Sequence, residues 1–279
     1  MTDAHCHPWD LRNSLEKTRS GLGEEAEKER RKTGTAAAAS STSREEFEYH
    51  EDLAKKAREE GAPPLFCCFA LHPQLSPVFL ENPDSRGYSL SEGLELLETL
   101  AGEGRLDGVG ETGFDLFNGH FKAAEKIQDD IFASHLDIAL KYRLPLIIHA
   151  RRAMHKIFPF SGKIKKLPAV IFHSWPGSRG EGKALLGRGI NVFFSFGTTV
   201  LKNHKEAMAS AAVFPPEHLL LESDAPWQPL RGEEFSSWQD LDLICSAIAG
   251  LRKEAGSPCN TREELELATT ENFFGIFSK

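Results

Sequence analysis

"LPLIIHAR" (144–151) decides the fold. Leu144 and Pro145 open the segment, Leu146, Ile147 and Ile148 fill it, and the apolar run closes on His149. The run has strand length, and it is apolar through its body, as a strand covered on both faces of a parallel sheet must be. Five further runs share this form: "PLFCCFALHP" (64–73), "LDGVGETG" (106–113), "PAVIFHSW" (168–175), "INVFFSFG" (190–197) and "HLLLESDAP" (218–226). Amphipathic stretches separate them. "AAEKIQDDIFASHLDIALKYR" (123–143) brings Ile127, Ile131 and Ile138 round near helical spacing. "EEFEYHEDLAKKAREEG" (45–61) reads as a charged surface helix stopped at Gly61. Ser43 with Glu46, Ser89 with Glu92 and Thr261 with Glu264 have the spacing of capping boxes.

Strands that alternate with helices form βαβ units and a parallel sheet. A first strand in "MTDAHCHPWD" (1–10) and a weak one over 35–41 bring the number to eight. Eight units predict an α/β fold, a single-domain (β/α)8 TIM-like barrel over residues 1–279. Residues 11–45 are the least regular part, charged, Ala/Ser-rich and poor in large apolar side chains. The first strand begins so near Met1 that no leader is expected. No apolar run approaches the ~18 residues of a membrane span. No secretory pattern opens the chain, and a cytoplasmic location is expected. The five cysteines form no CxxC pair, which argues against a disulfide framework. The net charge of −8 advertises no broad basic face for gripping nucleic acid. A phosphate ester would then need positive charge supplied at the site, as divalent metals would supply it.

Position carries the functional signal. Five of the six apolar runs end on a metal-capable or acid–base residue, His72, Glu111, His149, His173 or Asp224, and the first strand adds His5 and His7. The C-terminal strand ends of a (β/α)8 barrel meet on one face, where active sites sit. Imidazole nitrogen and carboxylate oxygen suit Zn²⁺, Mn²⁺ and related ions, and no thiolate set is offered. His5 and His7 are two apart, so a strand aims both at one ion and turns Cys6 away. Glu111 can bridge two metals. His149 and His173 belong on adjacent strands and suit a second metal. Asp224 can bind the first metal or take a proton from water, with Glu222 and Asp3 as partners that fix His tautomers. His50, His120, His135, His155, His204 and His218 read as surface or partly buried residues. "EEAEKERRK" (24–32) reads as a solvated helix face and "GKIKKLP" (162–168) as a surface loop. Phe114, Phe117, Trp175 and Trp227 are candidates for stacking a base, or for plain packing.

"DAHCH", "ALHPQ", "GVGETGFD", "LPLIIHAR", "VIFHSWPGS", "LLLESDAPW" and "TTENFFGIF", in this order, resemble the TatD family of metal-dependent deoxyribonucleases within the amidohydrolase-like barrels. The resemblance implies two divalent ions (Mg²⁺, Mn²⁺ or Zn²⁺). It implies His5, His7 and Asp224 on the first, Glu111 as bridge, and His149 and His173 on the second. His72 and Arg151 match family positions near the substrate, and Lys202 is a further candidate for a substrate phosphate. The implied activity is a 3′–5′ exonuclease on DNA, with single strands or 3′ ends as substrate and no obligate protein partner. Asp224 and Glu111 are the expected catalytic residues. The chain departs from the family at "GFDLFNG" (113–119), which has no arginine, at "HSWPGS" (173–178) and at "QPLRGEEFSSWQD" (228–240). These segments would hold nucleic acid, so metal-dependent hydrolysis is better supported than DNA as the substrate. The alternative is an amidohydrolase-type enzyme acting on a small ester, lactone or amide, since fold alone does not set substrate. Many of those bridge their metals with a carbamylated lysine, and here the fourth run ends on Glu111. A non-catalytic metal-binding scaffold is the remaining reading.

Overall fold

A computed structural model describes residues 1–18, 23–81 and 88–278. Its eight parallel strands run side by side in chain order: β1 (Thr2–Cys6), β2 (Ala36–Ser41), β3 (Leu65–Phe69), β4 (Gly108–Asp115), β5 (Leu146–Arg151), β6 (Val170–Phe172), β7 (Val192–Phe196) and β8 (Leu219–Leu221). The sheet curls into a nearly closed barrel. Its seam is joined where Asp224 N–H donates to His5 O at 3.0 Å and His7 N–H to Ala225 O at 2.8 Å. This is the TIM-like barrel expected from the alternating runs. β2 looks weak in sequence because it is built from alanine and serine, yet every residue in it is buried. Between β1 and β3 the chain wants small side chains rather than exposed ones.

Period-two alternation builds the barrel in layers. Ala38, Cys68, Ile147, Ile171, Phe193 and Leu220 join Ala4 in one buried apolar cluster. Phe273 and Phe277 of the last helix (Arg262–Phe277) belong to the same cluster, and Phe277 stacks on Phe66 of β3 at 5.4 Å. Intervening residues such as Phe69, Ile148, Phe172 and Phe194 face the helices in a second, larger core. Two residues beyond the inner apolar layer come Ser40, His149, His173, Ser195 and Glu222. The polar layer therefore sits on a dry floor.

The helix Glu125–Tyr142 buries Ile131, Phe132, Leu136, Ile138 and Ala139 on one face. Phe132 meets Phe114 of β4 at 5.0 Å between ring centroids. Each of the isoleucine, leucine and phenylalanine side chains contributes about 1.5–3 kcal/mol by burial. Ser89 with Glu92 and Thr261 with Glu264 form reciprocal capping boxes, as does Ser178 with Glu181. Ser43 accepts from Glu46 N–H, but the Glu46 carboxylate turns to Thr42 N–H instead. The helix Gly23–Thr33 corrects one expectation. Arg30 is fully buried there, bound to Glu27 and donating to the carbonyls of Thr35 and Pro63 at 2.7 and 2.9 Å. The "EEAEKERRK" segment is thus anchored by Arg30 rather than simply solvated. Among the described residues, no helix is long and apolar enough to cross a membrane.

Candidate metal centre

The polar layer converges on Glu111. Its Oε2 lies 3.1 Å from His5 Nε2 and 3.8 Å from His7 Nε2. Its Oε1 lies 2.7 Å from His149 Nδ1, 3.3 Å from His72 Nε2 and 3.4 Å from His173 Nε2. Asp224 Oδ1 stands 3.7 and 3.6 Å from the Nε2 atoms of His5 and His7, and its Oδ2 is 4.0 Å from His173. The metal-capable groups resolve into three overlapping sets: His5, His173 and Asp224; His5, His7 and Glu111; His72, Glu111 and His149. All six expected ligands are brought together. His72, expected near the substrate, lies inside the same cluster.

Local backbone explains how Glu111 reaches the axis. The β4–β5 register slips between Val109 and Thr112, a bulge of the sort found beside active sites. Gly110 and Gly113 allow it. A Cβ on Gly110 would lie 2.5 Å from Ile147 Cβ, and Gly113 has φ +133° with its Cβ position blocked by the His149 carbonyl. β1 slips in the same way between Asp3 and Cys6. His5 and His7 then both face the cluster, and Cys6 packs in the outer core. Asp224 (φ 53°) and Ser174 (φ 47°) hold left-handed conformations. Such conformations are uncommon outside glycine and gather at functional sites.

A ring of outer partners sets the imidazoles. Ser40 Oγ is 3.2 Å from His5 Nδ1, and Asp115 Oδ2 is 3.3 Å from His149 Nε2. Glu222 Oε1 lies 3.0 Å from His173 Nδ1 and accepts from Ser174 N–H at 2.8 Å. Gln74 donates through Nε2 to Asp115 and through its backbone N–H to His72 Nδ1. Gln228 Nε2 donates to Asp224 Oδ2 at 2.7 Å and to Ser174 Oγ at 2.8 Å. Glu222 thus stands where expected. Asp3 does not, because its carboxylate accepts from Ser223 and from His5 N–H and touches no ring. Asp115, Ser40, Gln74 and Gln228 went unread in the sequence. Asp115 was legible by parity, since it is four residues beyond Glu111 and shares its face of the strand.

Electrostatics match cation binding. Burial opposes ionisation of Glu111, but His72, His173 and His5 outweigh it and hold the carboxyl well below its usual range. Burial likewise opposes ionisation of Asp224, and His173 with the His7 hydrogen bond brings it down to about 2. Burial and neighbouring His173 lower His5, whereas Glu222 and Glu111 raise His173 against its burial. Asp3 is raised to about 7 by burial, against the donors of Ser223. The donor chemistry is nitrogen and oxygen throughout. His5 Nε2 and His7 Nε2 face each other at 3.1 Å, and buried Ser195 Oγ has no hydrogen-bond partner among the described residues. Nitrogens crowded together around anionic oxygens fit a divalent-cation centre.

The remaining candidates fall elsewhere. Phe114 and Trp175 lie in the outer core, 0% and 2% exposed, which removes both from any role in stacking a base. Phe117 and Trp227 are 39% and 53% exposed. Arg151 is exposed, with its guanidinium 3.7 Å from the Phe117 centroid. Lys202 Nζ donates to Gln228 O at 2.7 Å, and Gln228 in turn donates to Asp224. His50 and His135 are fully buried, where a surface or partly buried position was expected. His50 Nε2 accepts from Trp9 N–H, and His135 Nδ1 lies 2.6 Å from Thr112 Oγ1.

A parallel barrel with a buried His/Glu/Asp cluster at its strand ends has the architecture of a metal-dependent hydrolase. Comparison with known sequences narrows this. The profile of the TatD related DNase family matches residues 2–278, and the chain belongs to that family. Members of the family are named as deoxyribonucleases and as metal-dependent hydrolases. An uncharacterised metal-dependent hydrolase of Buchnera aphidicola is 26% identical over 100% of this chain and 96% of its own. A protein of Klebsiella pneumoniae named 3′-5′ ssDNA/RNA exonuclease TatD is 29% identical over 65% of this chain and 70% of its own. The deoxyribonuclease Tat-D of Schizosaccharomyces pombe is 30% identical over 58% of this chain and 51% of its own. Among solved structures, a TatD homologue from Escherichia coli superposes with a TM-score of 0.78 at 22% identity, covering 100% of this chain and 98% of its own. That likeness speaks for the fold.

Proposed function

We propose that this protein is a phosphodiesterase with two divalent cations at the cluster, acting as a 3′–5′ exonuclease on DNA ends. One observation carries the reading. The two oxygens of Glu111 face different histidine sets, His5 and His7 on Oε2, and His72, His149 and His173 on Oε1. A carboxylate so placed suits a bridge between two ions. The names of the Klebsiella and fission-yeast relatives support nucleic acid as substrate, and that of the Klebsiella protein supports a single strand as its form. Mg²⁺, Mn²⁺ and Zn²⁺ all suit the donor set.

His5, His7 and Asp224 would hold the first ion, and His149 and His173, with His72 beside them, the second. Bound divalent cations supply Lewis-acid polarisation of the phosphoryl oxygen and acidify water. The chain supplies the rest. Asp224, kept ionised by its histidine neighbours, accepts the proton of the attacking water. Gln228 holds Asp224 Oδ2 and leaves Oδ1 toward His5 and His7. Glu222 and Asp115 orient His173 and His149. Catalytic roles go to Asp224 and Glu111, and Lys202 serves at one remove by holding the Gln228 carbonyl.

The test is hydrolysis of end-labelled single-stranded DNA by protein stripped with chelator and reloaded with each ion. Stepwise loss from the 3′ end, abolished by chelation and reduced about 10²-fold or more in Asp224→Asn and Glu111→Gln, is expected. Equal rates in the chelated and variant proteins would overturn the reading.

A further inference from the structure

β7 enters the polar layer differently from its neighbours. Ser195 shares a face with Phe193 of the inner apolar cluster, so parity aims it at the barrel axis. Phe194 pairs with Phe172 and Ser195 with Leu220, which sets Ser195 between the strand of His173 and the strand that leads to Glu222. Ser40, Asp115 and Glu222 each stand beside a ring nitrogen of the cluster, whereas Ser195 Oγ bonds to none. Glu222 follows β8 yet acts on β6. It crosses β7 to reach His173 Nδ1 at 3.0 Å and Ser174 N–H at 2.8 Å, a strand-to-strand span on the order of 9–10 Å at the usual spacing. Gly197 makes the crossing possible, because a Cβ there would lie 3.3 Å from Glu222 Cγ and 3.5 Å from its Oε1. Ser195 comes two residues earlier on the same strand, toward the apolar floor.

Two oxygens at this crossing, Ser195 Oγ and Glu222 Oε2, have no hydrogen-bond partner among the described residues. Both residues are fully buried. A buried oxygen left unpaired carries its whole desolvation penalty, and a charged one carries more. Folded proteins answer such a pair with a shared water. The chemistry matches, since a hydroxyl can donate and a carboxylate only accepts. A water that accepts from Ser195 and donates to Glu222 Oε2 satisfies both. Two oxygens are too few to hold a hard cation and enough to hold a water.

We propose that one buried water, held between Ser195 Oγ and Glu222 Oε2, braces Glu222 against His173. Ser195 is thereby a positioning residue for the cation held by His149 and His173. This rests on the reading of the cluster as a two-cation centre and gives β7 a part in it.

A crystal structure of chelator-stripped wild type at atomic resolution should show one ordered water within hydrogen-bond distance of both oxygens. No water there, or a direct bond between Ser195 and Glu222, overturns the proposal. Titration calorimetry of stripped protein with Zn²⁺ reads the consequence without turnover. Ser195→Ala removes no hydrogen bond to another described residue, so the variant keeps its fold. It should weaken one binding step about 10-fold, the lower end of what partners of metal ligands contribute, and leave the other unmoved. Ser195→Thr keeps the hydroxyl and should restore most of the affinity. Gly197→Ala crowds Glu222 at Cγ and should weaken the same step with Ser195 intact. Loss of both steps together in Ser195→Ala, loss of neither, or a Ser195→Thr protein that binds no better than Ser195→Ala overturns the role given to Ser195. Wild type that binds none of Mg²⁺, Mn²⁺ and Zn²⁺ overturns the cation-centre reading itself and leaves the crystallographic test of the water in place.

Discussion

Asp3 and Ser223 stand 220 residues apart and meet across the barrel seam, where Asp3 Oδ2 accepts from Ser223 Oγ at 2.5 Å and Oδ1 from Ser223 N–H at 2.9 Å. The same Oδ1 accepts from His5 N–H at 3.2 Å. One buried carboxylate thus holds together the strand that carries His5 and the turn that carries Asp224. Removing it leaves two buried backbone donors without an acceptor, at a cost of about 1–3 kcal/mol each. Asp3→Ala should lower unfolding free energy by roughly 2–4 kcal/mol. Urea denaturation at pH 8 checks this. A midpoint within error of wild type would show that the seam is held by other contacts.

The cluster should couple cation binding to stability. The carboxylates of Glu111 and Asp224 and the imidazoles around them gather nitrogen and oxygen donors that a cation would bind. An ion that binds the folded state alone stabilises it by about 2.7 kcal/mol at a hundredfold excess over Kd. Mn²⁺ or Zn²⁺ should therefore raise the melting temperature of chelator-stripped protein, and His5→Ala with Glu111→Gln should abolish most of the rise. Differential scanning fluorimetry with a metal titration reads both. A rise of equal size in the double variant would move the binding site elsewhere.

Glu222 touches His173 and Ser174 N–H but not the centre of the cluster. Outer partners of this kind are worth about 10–100-fold in metal affinity or activity. Glu222→Gln keeps the shape, removes the charge that raises His173, and should weaken one of the two ions by that factor. Isothermal titration of stripped protein should show one binding step weakened and the other unmoved. Asp115→Asn should do the same through His149, where a hydrogen bond from His149 and one from Gln74 overcome burial and hold Asp115 at about 2. Both variants act on the ion held by His149 and His173, so loss of both steps together in either one would contradict two separately held ions.

Much of this centre was legible because parity in a parallel strand is strict. Ile147 faces the axis, so His149 must; Ile171 does, so His173 must; Leu220 does, so Glu222 must. The same rule excludes Phe114 as a base platform, since it alternates with Glu111 and Asp115. Trp175 obeys no such rule. β6 ends at Phe172, and the left-handed Ser174 turns the indole out against Phe194 at 4.6 Å. The bulges at Gly110 and after Asp3 depend on what each neighbouring strand presents, which no local pattern encodes. Helical histidines were the hardest to place. His135 lies four residues after Ile131 on the buried face, but a charged helix of this length carries imidazoles on either side.

Those two buried histidines make the stability of the fold sensitive to acid. Burial lowers His50 and His135 from 6.5 to about 3. Both are neutral in the folded protein, bonded to Ser41 and Trp9 and to Thr112 and Leu71. The unfolded chain binds their protons near pH 6.5, and the folded chain does not until about pH 3. Their contribution is therefore complete above pH 6.5 and is lost as pH falls toward 3. At pH 4 the loss is roughly 3 kcal/mol per histidine. His135→Gln, which keeps a donor and an acceptor in the helix, removes one of the two titrations. Its stability should fall between pH 6.5 and 4 with a slope shallower than wild type by up to about 1.4 kcal/mol per pH unit. The cluster histidines titrate alike in both proteins and cancel in the difference. Urea titrations of metal-stripped wild type and variant at intervals across that range measure it, and parallel curves would mean that His135 takes up its proton without unfolding.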